Sequence, residues 1–149
     1  MTSLDPQIKQ KIDHWLNGNY DEETKNTIRE KLYNKEYQEL TDAFYKDLEF
    51  GTGGLRGIMG VGSNRVNKYT FGMATQGFSN FLKVNHPNEE VKVAIAHDCR
   101  NNSEELAQVV ADVFSANGIY VYLFDGLRPT PELSFAIRKL GCHGGVMLT

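Results

Sequence analysis

The part of this 149-residue sequence from residue 91 onward constrains the fold most, because three apolar runs alternate there with two amphipathic segments. The first run, 91–97, is rich in β-branched residues, which is typical of a strand covered on both faces. Runs at 119–124 and 145–149 follow, with helical periodicity from Ser103 to Phe114 and from Thr130 to Leu140 between them. Strands joined by helices at this spacing form right-handed crossovers and lie parallel. The sequence therefore predicts an α/β fold with a mostly parallel, mixed sheet and helices on both faces.

Capping residues and apolar spacing predict further helices before residue 86. Asp5 is expected to cap a helix that ends near Gly18, and acidic residues from Asp21 open a second helix. A shorter segment near Thr41 is expected to place Tyr45 against a core. Asn64 or Asn67 is then expected to cap a helix that buries a methionine and aromatic stripe. This stripe consists of Tyr69, Met73, Phe78, Phe81 and Leu82.

Polar side chains follow each of the three predicted strands. They are Asp98, Arg100 and Asn101, then Asp125 and Arg128, and finally Thr149. Helix starts at Ser103, expected as an N-cap, and at Thr130 share the same edge of the sheet. Open parallel sheets bind ligands at this edge, where helix N-termini add partial positive charge, so an anionic ligand is favoured. Asp98 and Arg100 could equally form an ion pair that only holds the strand end.

The segment 50–57, Phe-Gly-Thr-Gly-Gly-Leu-Arg-Gly, places one fixed positive charge, Arg56, among four glycines. Glycine lets the main chain approach a ligand closely. Backbone N–H groups and a planar guanidinium both suit the oxygens of a phosphate or carboxylate. Two interpretations are open: a phosphate cradle, or a glycine-rich turn that carries a surface arginine.

Composition and spacing disfavour several other functions. A net charge of −3 with interspersed signs argues against partners such as nucleic acid or a membrane surface. The N-terminus lacks a signal peptide and no apolar run approaches the roughly 20 residues of a membrane span, so a cytoplasmic protein is expected. Cys99 and Cys142 show no zinc spacing and are expected to be buried. His97 and His143 are expected to be satisfied core or edge side chains, and no metal ligand is predicted.

Four segments together resemble, in order and spacing, the first domain of the α-D-phosphohexomutases, which include phosphoglucomutases and phosphomannomutases. The segments are Phe50–Gly57, Val93–Arg100, Pro129–Pro131 and Gly145–Thr149. The resemblance covers about residue 40 to the end. The long helical N-terminal arm is similar to that of the subgroup that also contains phosphopentomutases.

The resemblance implies an enzyme that moves a phosphoryl group between the C1 and C6 oxygens of a hexose. In this family the reaction passes through a phosphoserine and a hexose 1,6-bisphosphate, with Mg²⁺ as cofactor. The resemblance implies Arg56 as a catalytic residue at the transferring phosphate. It implies Thr52, Gly53, Gly54, Arg56 and Arg100 as substrate-binding residues. His97 and Cys99 depart from the residues usual beside the family's Asp-x-Arg.

The resemblance also implies that part of the enzyme lies outside this sequence. The strand ending at Thr149 supplies only the threonine of the family's Thr-Ala-Ser-His-Asn-Pro, and the Mg²⁺ ligands are expected elsewhere. We expect residues 1–49 to form a helical extension and residues 50–149 to form a domain I that is incomplete at its C-terminus. This chain alone is expected to be inactive. A pentose mutase on the same scaffold and a non-catalytic phosphosugar-binding module are the alternatives.

Overall fold

The computed structural model describes residues 3–149, which divide into two compact units with a boundary between Thr70 and Phe71. The helices are α1 (Pro6–Asn17), α2 (Glu22–Tyr33), α3 (Tyr37–Phe44), α4 (Lys68–Asn85), α5 (Ser103–Ala116) and α6 (Thr130–Lys139). The strands are β1 (Phe50–Gly51), β2 (Gly54–Leu55), β3 (Lys92–His97), β4 (Tyr120–Leu123) and β5 (Gly144–Leu148). In the described part of the chain, no helix has the length and apolarity needed to cross a membrane.

Three helices begin where the sequence predicts, whereas α3 begins at Tyr37, four residues before the predicted start near Thr41 and without a side-chain cap. The Asp5 carboxylate accepts a hydrogen bond of 2.8 Å from the Gln7 N–H, and Asp21 accepts one of 2.9 Å from Thr24. Asn67 caps α4 by accepting the N–H groups of its first turn. α1, α2 and α3 enclose one apolar cluster. Its buried members are Ile8, Ile12, Trp15, Ile28, Leu40, Ala43 and Phe44.

A polar contact within the first unit joins the start of α2 to the start of α4. The Tyr69 hydroxyl donates a hydrogen bond to Asp21 Oδ2, and Lys68 Nζ lies 3.0 Å from the same oxygen. The Tyr69 ring packs edge-on against Tyr20 and Trp15. The Tyr69 hydrogen bond, followed by those from Thr24 and Lys68, holds the pKa of Asp21 well below its usual value. Ionised Asp21 therefore stabilises this unit.

Arg65 is buried, with a side chain only 2% exposed, although arginine is rarely found inside proteins. Its Nη2 lies 3.2 Å from both carboxylate oxygens of Glu39 and 2.8 Å from Asp42 Oδ2. Its Nη1 donates to the carbonyl oxygens of Asp42 and Asn64, at 3.3 and 3.2 Å. Arg65 thus fastens the segment after β2 to α3 through charge-assisted hydrogen bonds.

The second unit is built on a parallel sheet of order β4-β3-β5. In register, Val93 of β3 lies opposite Val121 of β4 and Gly144 of β5. α5 and the part of α4 in this unit cover the face that carries Val93 and Ile95. α6 covers the other face, and its Leu133 packs with Ala94 and Ala96. The predicted α/β fold is confirmed, with β3 as its buried centre.

The predicted buried stripe of α4 is wrong at two of its five positions. Met73 is 60% exposed and Phe81 is 61% exposed. The buried face of this helix includes Thr75 and Ser79 instead. Each hydroxyl donates a 2.8 Å hydrogen bond to the carbonyl four residues earlier, so the helix itself satisfies these groups. Tyr45, expected against a core, is 53% exposed because α3 ends one residue earlier.

We expect Asp21→Asn to lower the urea midpoint of the first unit at neutral pH. Asparagine keeps an oxygen for the Thr24 N–H but loses the negative charge beside Lys68. Because the folded-state pKa of Asp21 is depressed, the stabilisation is present above the unfolded pKa of about 4 and declines as pH falls below it. The difference in urea midpoint between wild type and Asp21→Asn should therefore become smaller at acidic pH. Fluorescence of Trp15, the single tryptophan, reports on this unit.

Asp13→Asn, at an exposed position of α1, is the matched control for this experiment. Its urea midpoint at neutral pH should stay close to that of wild type, because substitutions at exposed positions change stability little. If the difference in urea midpoint between Asp21→Asn and wild type stayed constant as the pH was lowered, the assigned role of the Asp21 carboxylate would be contradicted.

We expect Arg65→Ala to lower the unfolding free energy of the first unit by about 2 kcal/mol, since several charge-assisted hydrogen bonds and a buried side chain are lost. Arg56→Ala, at an exposed position, should change it by no more than about 0.5 kcal/mol. Urea unfolding followed by Trp15 fluorescence compares the two variants directly. Equal midpoints for both variants would show that the buried guanidinium does not hold this segment.

Candidate functional site

The glycine-rich segment forms a tight β-hairpin in the first unit. β1 and β2 pair antiparallel, with Phe50 opposite Leu55 and Gly51 opposite Gly54. Thr52 and Gly53 are consequently the two turn residues. Gly54 has a φ of +105°, which residues with a side chain rarely adopt. The segment is thus a tight turn, a backbone shape that the two interpretations, phosphate cradle and plain turn, have in common.

Arg56 follows this hairpin and is exposed. A Cβ at Gly53 would lie 3.4 Å from Arg56 Nη2, so the guanidinium lies at contact distance over the turn. Among the described residues of its own unit, 3–70, no carboxylate forms an ion pair with Arg56. Gly57 packs so closely that a Cβ there would lie 2.8 Å from Leu48 Cδ1. The charge of Arg56 is therefore available to an anion. The backbone at Gly57, the next residue, is held in place by its contact with Leu48.

Asp98 organises the carboxyl edge of the sheet in the second unit. Its N–H donates a 3.0 Å hydrogen bond to the Leu148 carbonyl, which extends the pairing of β3 and β5. Its carboxylate accepts hydrogen bonds from the Thr149 hydroxyl, from the Arg100 N–H at 3.0 Å and from the Ser103 hydroxyl at 3.2 Å. These donors, Thr149 first and Arg100 next, hold the pKa of Asp98 below its usual value.

Arg100 forms the predicted ion pair with Asp98 and is still open to solvent. Its Nε lies 3.7 Å from Asp98 Oδ2, and its side chain is 72% exposed. Ion pairs with such exposure contribute little to stability. The Asp98 carboxylate is held mainly by neutral donors, so most of the Arg100 guanidinium remains free to contact a ligand.

An open depression of about 390 Å³ adjoins this edge. It is lined by His97, Asp98, Cys99, Arg100, Asn102, Ser103, Glu104, Glu105 and Leu127. Arg100 brings positive charge to this lining, whereas Asp98, Glu104 and Glu105 bring negative charge. A dianionic phosphate would meet more repulsion than attraction from these side chains. The depression by itself is therefore a weak phosphate site.

Two predictions about this edge need correction, and a third, the burial of Cys142 before β5, holds only in part. Asn102, in the left-handed conformation with φ of 61°, is the N-cap of α5, and Ser103 is its first helical residue. Only five residues connect the end of β3 to the start of α5, and the left-handed conformation of Asn102 reverses the chain direction within this short loop. Cys99 is exposed rather than buried, since the strand has ended at His97. Cys142 is partly buried, and burial raises the pKa of its thiol.

Arg128 lies at the same edge, but its hydrogen-bonding groups are already bonded to other residues of the fold. Its N–H donates a 3.0 Å hydrogen bond to the His97 carbonyl. Its guanidinium lies 3.1 Å from Glu132 and 3.4 Å from Asp125. Arg128 thus joins the β4–α6 connection to the end of β3, which is a structural role.

The structure also brings together three side chains of types that can ligate a metal, which the sequence prediction did not group. His86, Glu89 and His143 place one ligand atom each within 4.8 Å of the others. His143 is 54 residues from Glu89 along the chain, so the spacing of these residues in the sequence does not indicate that they form a group. We call it the amino-edge cluster, because it lies where β3 and β5 begin. His97, in contrast, is a buried core histidine, as predicted.

Comparison with known proteins identifies the chain. Residues 47–149 match the family model described as phosphoglucomutase/phosphomannomutase, alpha/beta/alpha domain I. The chain belongs to this family. The resemblance to the first domain of the phosphohexomutases is thereby confirmed. Asp98, Arg100 and the Arg56 hairpin all lie within the matched domain I residues.

Curated relatives of this domain I chain are mutases for both hexose and pentose phosphates by name. A probable phosphoribomutase of Schizosaccharomyces pombe is 35% identical over 147 residues, covering 98% of this chain and 25% of that protein. Phosphoglucomutase of Staphylococcus epidermidis is 38% identical over 124 residues, covering 82% and 22%. Phosphoglucomutase of Staphylococcus aureus is 40% identical over 111 residues, covering 74% and 20%. The chain spans a quarter or less of these relatives, and no solved structure gives a significant match.

We expect the Asp98 carboxyl to titrate below about 4, the usual value for an aspartate. Thr149→Val should raise its midpoint more than Ser103→Ala does, because the Thr149 hydroxyl contributes most to the lowered pKa. Carboxyl NMR shifts of Asp98 across an acid titration measure both effects. The reverse order of the two variants would contradict the assigned hydrogen bonds.

Proposed function

We propose that this chain is the domain I portion of a sugar-phosphate mutase that interconverts hexose 1-phosphate and hexose 6-phosphate. The proposal includes a phosphoserine on the enzyme and a hexose 1,6-bisphosphate intermediate. The match of residues 47–149 to domain I of phosphoglucomutases and phosphomannomutases carries it. The availability of Arg56 supports it, because such a reaction needs positive charge at the transferring phosphate.

Arg56 is the residue proposed to act on the phosphoryl group. Enzymatic phosphoryl transfer relies on positioning and electrostatic stabilisation more than on covalent chemistry by side chains. A guanidinium offers a planar fork that matches two phosphate oxygens. The Thr52–Gly53 turn lies beside it, so backbone N–H groups of Thr52, Gly53 and Gly54 are proposed to add donors to the bound phosphate.

Arg100 is proposed to bind the substrate rather than to take part in chemistry. Most of its side chain is exposed, and its neutralisation by Asp98 is only partial. The acidic lining around it limits what Arg100 can bind unaided. We therefore propose that this chain holds part of a site and that residues outside it complete the binding of the phosphosugar.

The side chains described here do not fit the Mg²⁺ that the family resemblance implies. Mg²⁺ prefers an octahedral set of oxygen ligands. Within residues 3–149, the triad of possible metal ligands is the amino-edge cluster, and two of its three members are imidazoles. We propose that the Mg²⁺ ligands and the phosphoserine both lie outside this sequence.

A pentose phosphate is the second candidate substrate. The Schizosaccharomyces pombe relative, a probable phosphoribomutase, aligns with 147 residues and thus includes the region of α1 to α3. The staphylococcal phosphoglucomutases align with shorter parts of the chain. Comparing turnover of ribose 1-phosphate with that of glucose 1-phosphate separates the two candidates.

Three further features belong to the same proposal. Residues 1–49 are proposed to act as a helical extension of domain I, which comprises residues 50–149. The partners are proposed to be small sugar phosphates, not nucleic acid or membranes. The cytoplasm is the proposed location, where sugar phosphates are metabolised.

We expect Arg56→Ala to lower turnover at least about tenfold in a protein extended to the length of its curated relatives. Turnover is measured with glucose 1-phosphate and ribose 1-phosphate, in the presence of Mg²⁺ and the matching bisphosphate. Arg56→Lys keeps the charge without the planar fork, so it should recover only part of the loss. Circular dichroism confirms that each variant is folded.

Arg138→Ala is the matched control, because Arg138 is exposed on α6 and its side chain donates to Ser134. It should leave turnover unchanged. Near-normal turnover by a folded Arg56→Ala variant would refute the catalytic role. Turnover by the 149-residue chain alone would refute the proposal that the site is completed elsewhere.

A further inference from the structure

We propose that the amino-edge cluster, His86, Glu89 and His143, binds one Zn²⁺ ion. His86 directly follows the last residue of α4, and His143 directly precedes β5. His86 Nδ1 lies 3.2 Å from Glu89 Oε1, and His143 Nε2 lies 2.9 Å from Glu89 Oε2. Each carboxylate oxygen therefore already faces one imidazole nitrogen.

The donor set is one that favours zinc over magnesium. Two imidazoles and one carboxylate form a common three-ligand zinc set, which leaves a fourth position for water. Imidazole ligands suit zinc, copper and nickel, whereas magnesium selects oxygen. The proposed site is thus chemically distinct from the Mg²⁺ requirement of the proposed mutase, and it does not depend on that proposal.

The three donor atoms need only small shifts to reach the geometry of a zinc site. Donor atoms around tetrahedral zinc are separated by roughly 3.4 Å, given bond lengths of about 2.0 to 2.2 Å. The three atoms here lie within 4.8 Å of one another, and the two rings are 4.3 Å apart with an interplanar angle of 63°. His143 is the fixed member, at 14% exposed. Glu89, at 60% exposed, and His86, at 32%, can move toward it.

A backbone hydrogen bond to His143 makes zinc binding observable. The Lys92 N–H donates to His143 Nδ1 at 3.1 Å, so the proton of neutral His143 lies on Nε2, facing Glu89. Zinc takes the lone pair of Nε2, and the ring proton must then occupy Nδ1. The hydrogen bond from Lys92 is lost in this exchange. Zinc binding therefore switches the tautomer of His143, which a hydrogen-bonded cluster without an ion would not do.

The position of the cluster points to a stabilising ion rather than a catalytic one. The six residues of β3, at about 3.3 Å each, place the amino edge roughly 20 Å from the carboxyl edge that holds Asp98 and Thr149. An ion at this position links the end of α4 to the start of β5. Because such an ion binds the folded unit, it raises the stability of that unit.

The test uses the 149-residue chain carrying Cys99→Ser, which removes the exposed thiol as a competing zinc ligand. Calorimetric titration of the metal-free protein with Zn²⁺ should give one ion per chain, and zinc should raise the melting temperature. Mg²⁺ at the same concentration should not. His86→Gln and His143→Gln should each weaken zinc binding at least about tenfold.

His14→Gln, on α1, is the control that should bind zinc as wild type does. Glu89→Gln provides a second variant that leaves the backbone hydrogen bond of His143 intact, and it should also weaken binding. Nitrogen-15 NMR should show the His143 proton on Nε2 without zinc and on Nδ1 with it. Absence of saturable zinc binding, binding that survives both His86→Gln and His143→Gln, or an unchanged His143 tautomer in the zinc-bound protein would each overturn the proposal.

Discussion

The parallel pairing of β3 with both β4 and β5 determines where the polar groups of the second unit lie. Because all three strands run the same way, the residues that follow them meet at one edge. Asp98 uses this arrangement directly, since its backbone continues the β3–β5 ladder and its carboxylate binds the Thr149 hydroxyl. A change in the order or direction of the strands would separate these groups, whatever the side chains were.

Two arginines nine positions apart show how context decides the role of a charge. Arg65 is enclosed by Glu39, Asp42 and backbone carbonyls, so its charge is neutralised by groups of the fold and is not available to a ligand. Arg56 projects from a hairpin and has no carboxylate partner among the described residues of its unit. Sequence composition treats the two residues alike. Only the packing of α3 against the intervening segment distinguishes the structural guanidinium from the one available to a phosphate.

The sequence predicted those parts of the fold that depend on local periodicity and capping. Asp5 and Asn67 cap helices as expected, and the second helix begins at the acidic residues beside Asp21, because these hydrogen bonds reach only two or three residues along the chain. The α/β architecture followed from strand and helix periods. Contacts between distant residues were missed. Thr75 and Ser79 replaced Met73 and Phe81 on the buried face of α4, since small hydroxyl residues can bond to their own helix and still be buried.

The candidate site was predictable to a similar extent. The carboxyl edge, with Asp98, Arg100 and Thr149, followed from the rule for parallel strands. The roles of Arg56, Thr52, Gly53 and Gly54 remain predictions from family resemblance. The burial of Arg65 and the meeting of His143 with Glu89 depend on chain segments that are 26 and 54 residues apart, so no local pattern could reveal them.

The lateral position of β4 has a consequence for the behaviour of this chain in solution. β4 pairs with β3 on one side, and among residues 3–149 no strand covers its other side. Its sequence, Tyr-Val-Tyr-Leu, has high β-propensity, carries no charge and contains no proline. Strands of this kind can recruit a second extended chain. Because β4 has only four residues, it offers few backbone groups for pairing with a second chain. The short length of this edge strand therefore limits aggregation through it.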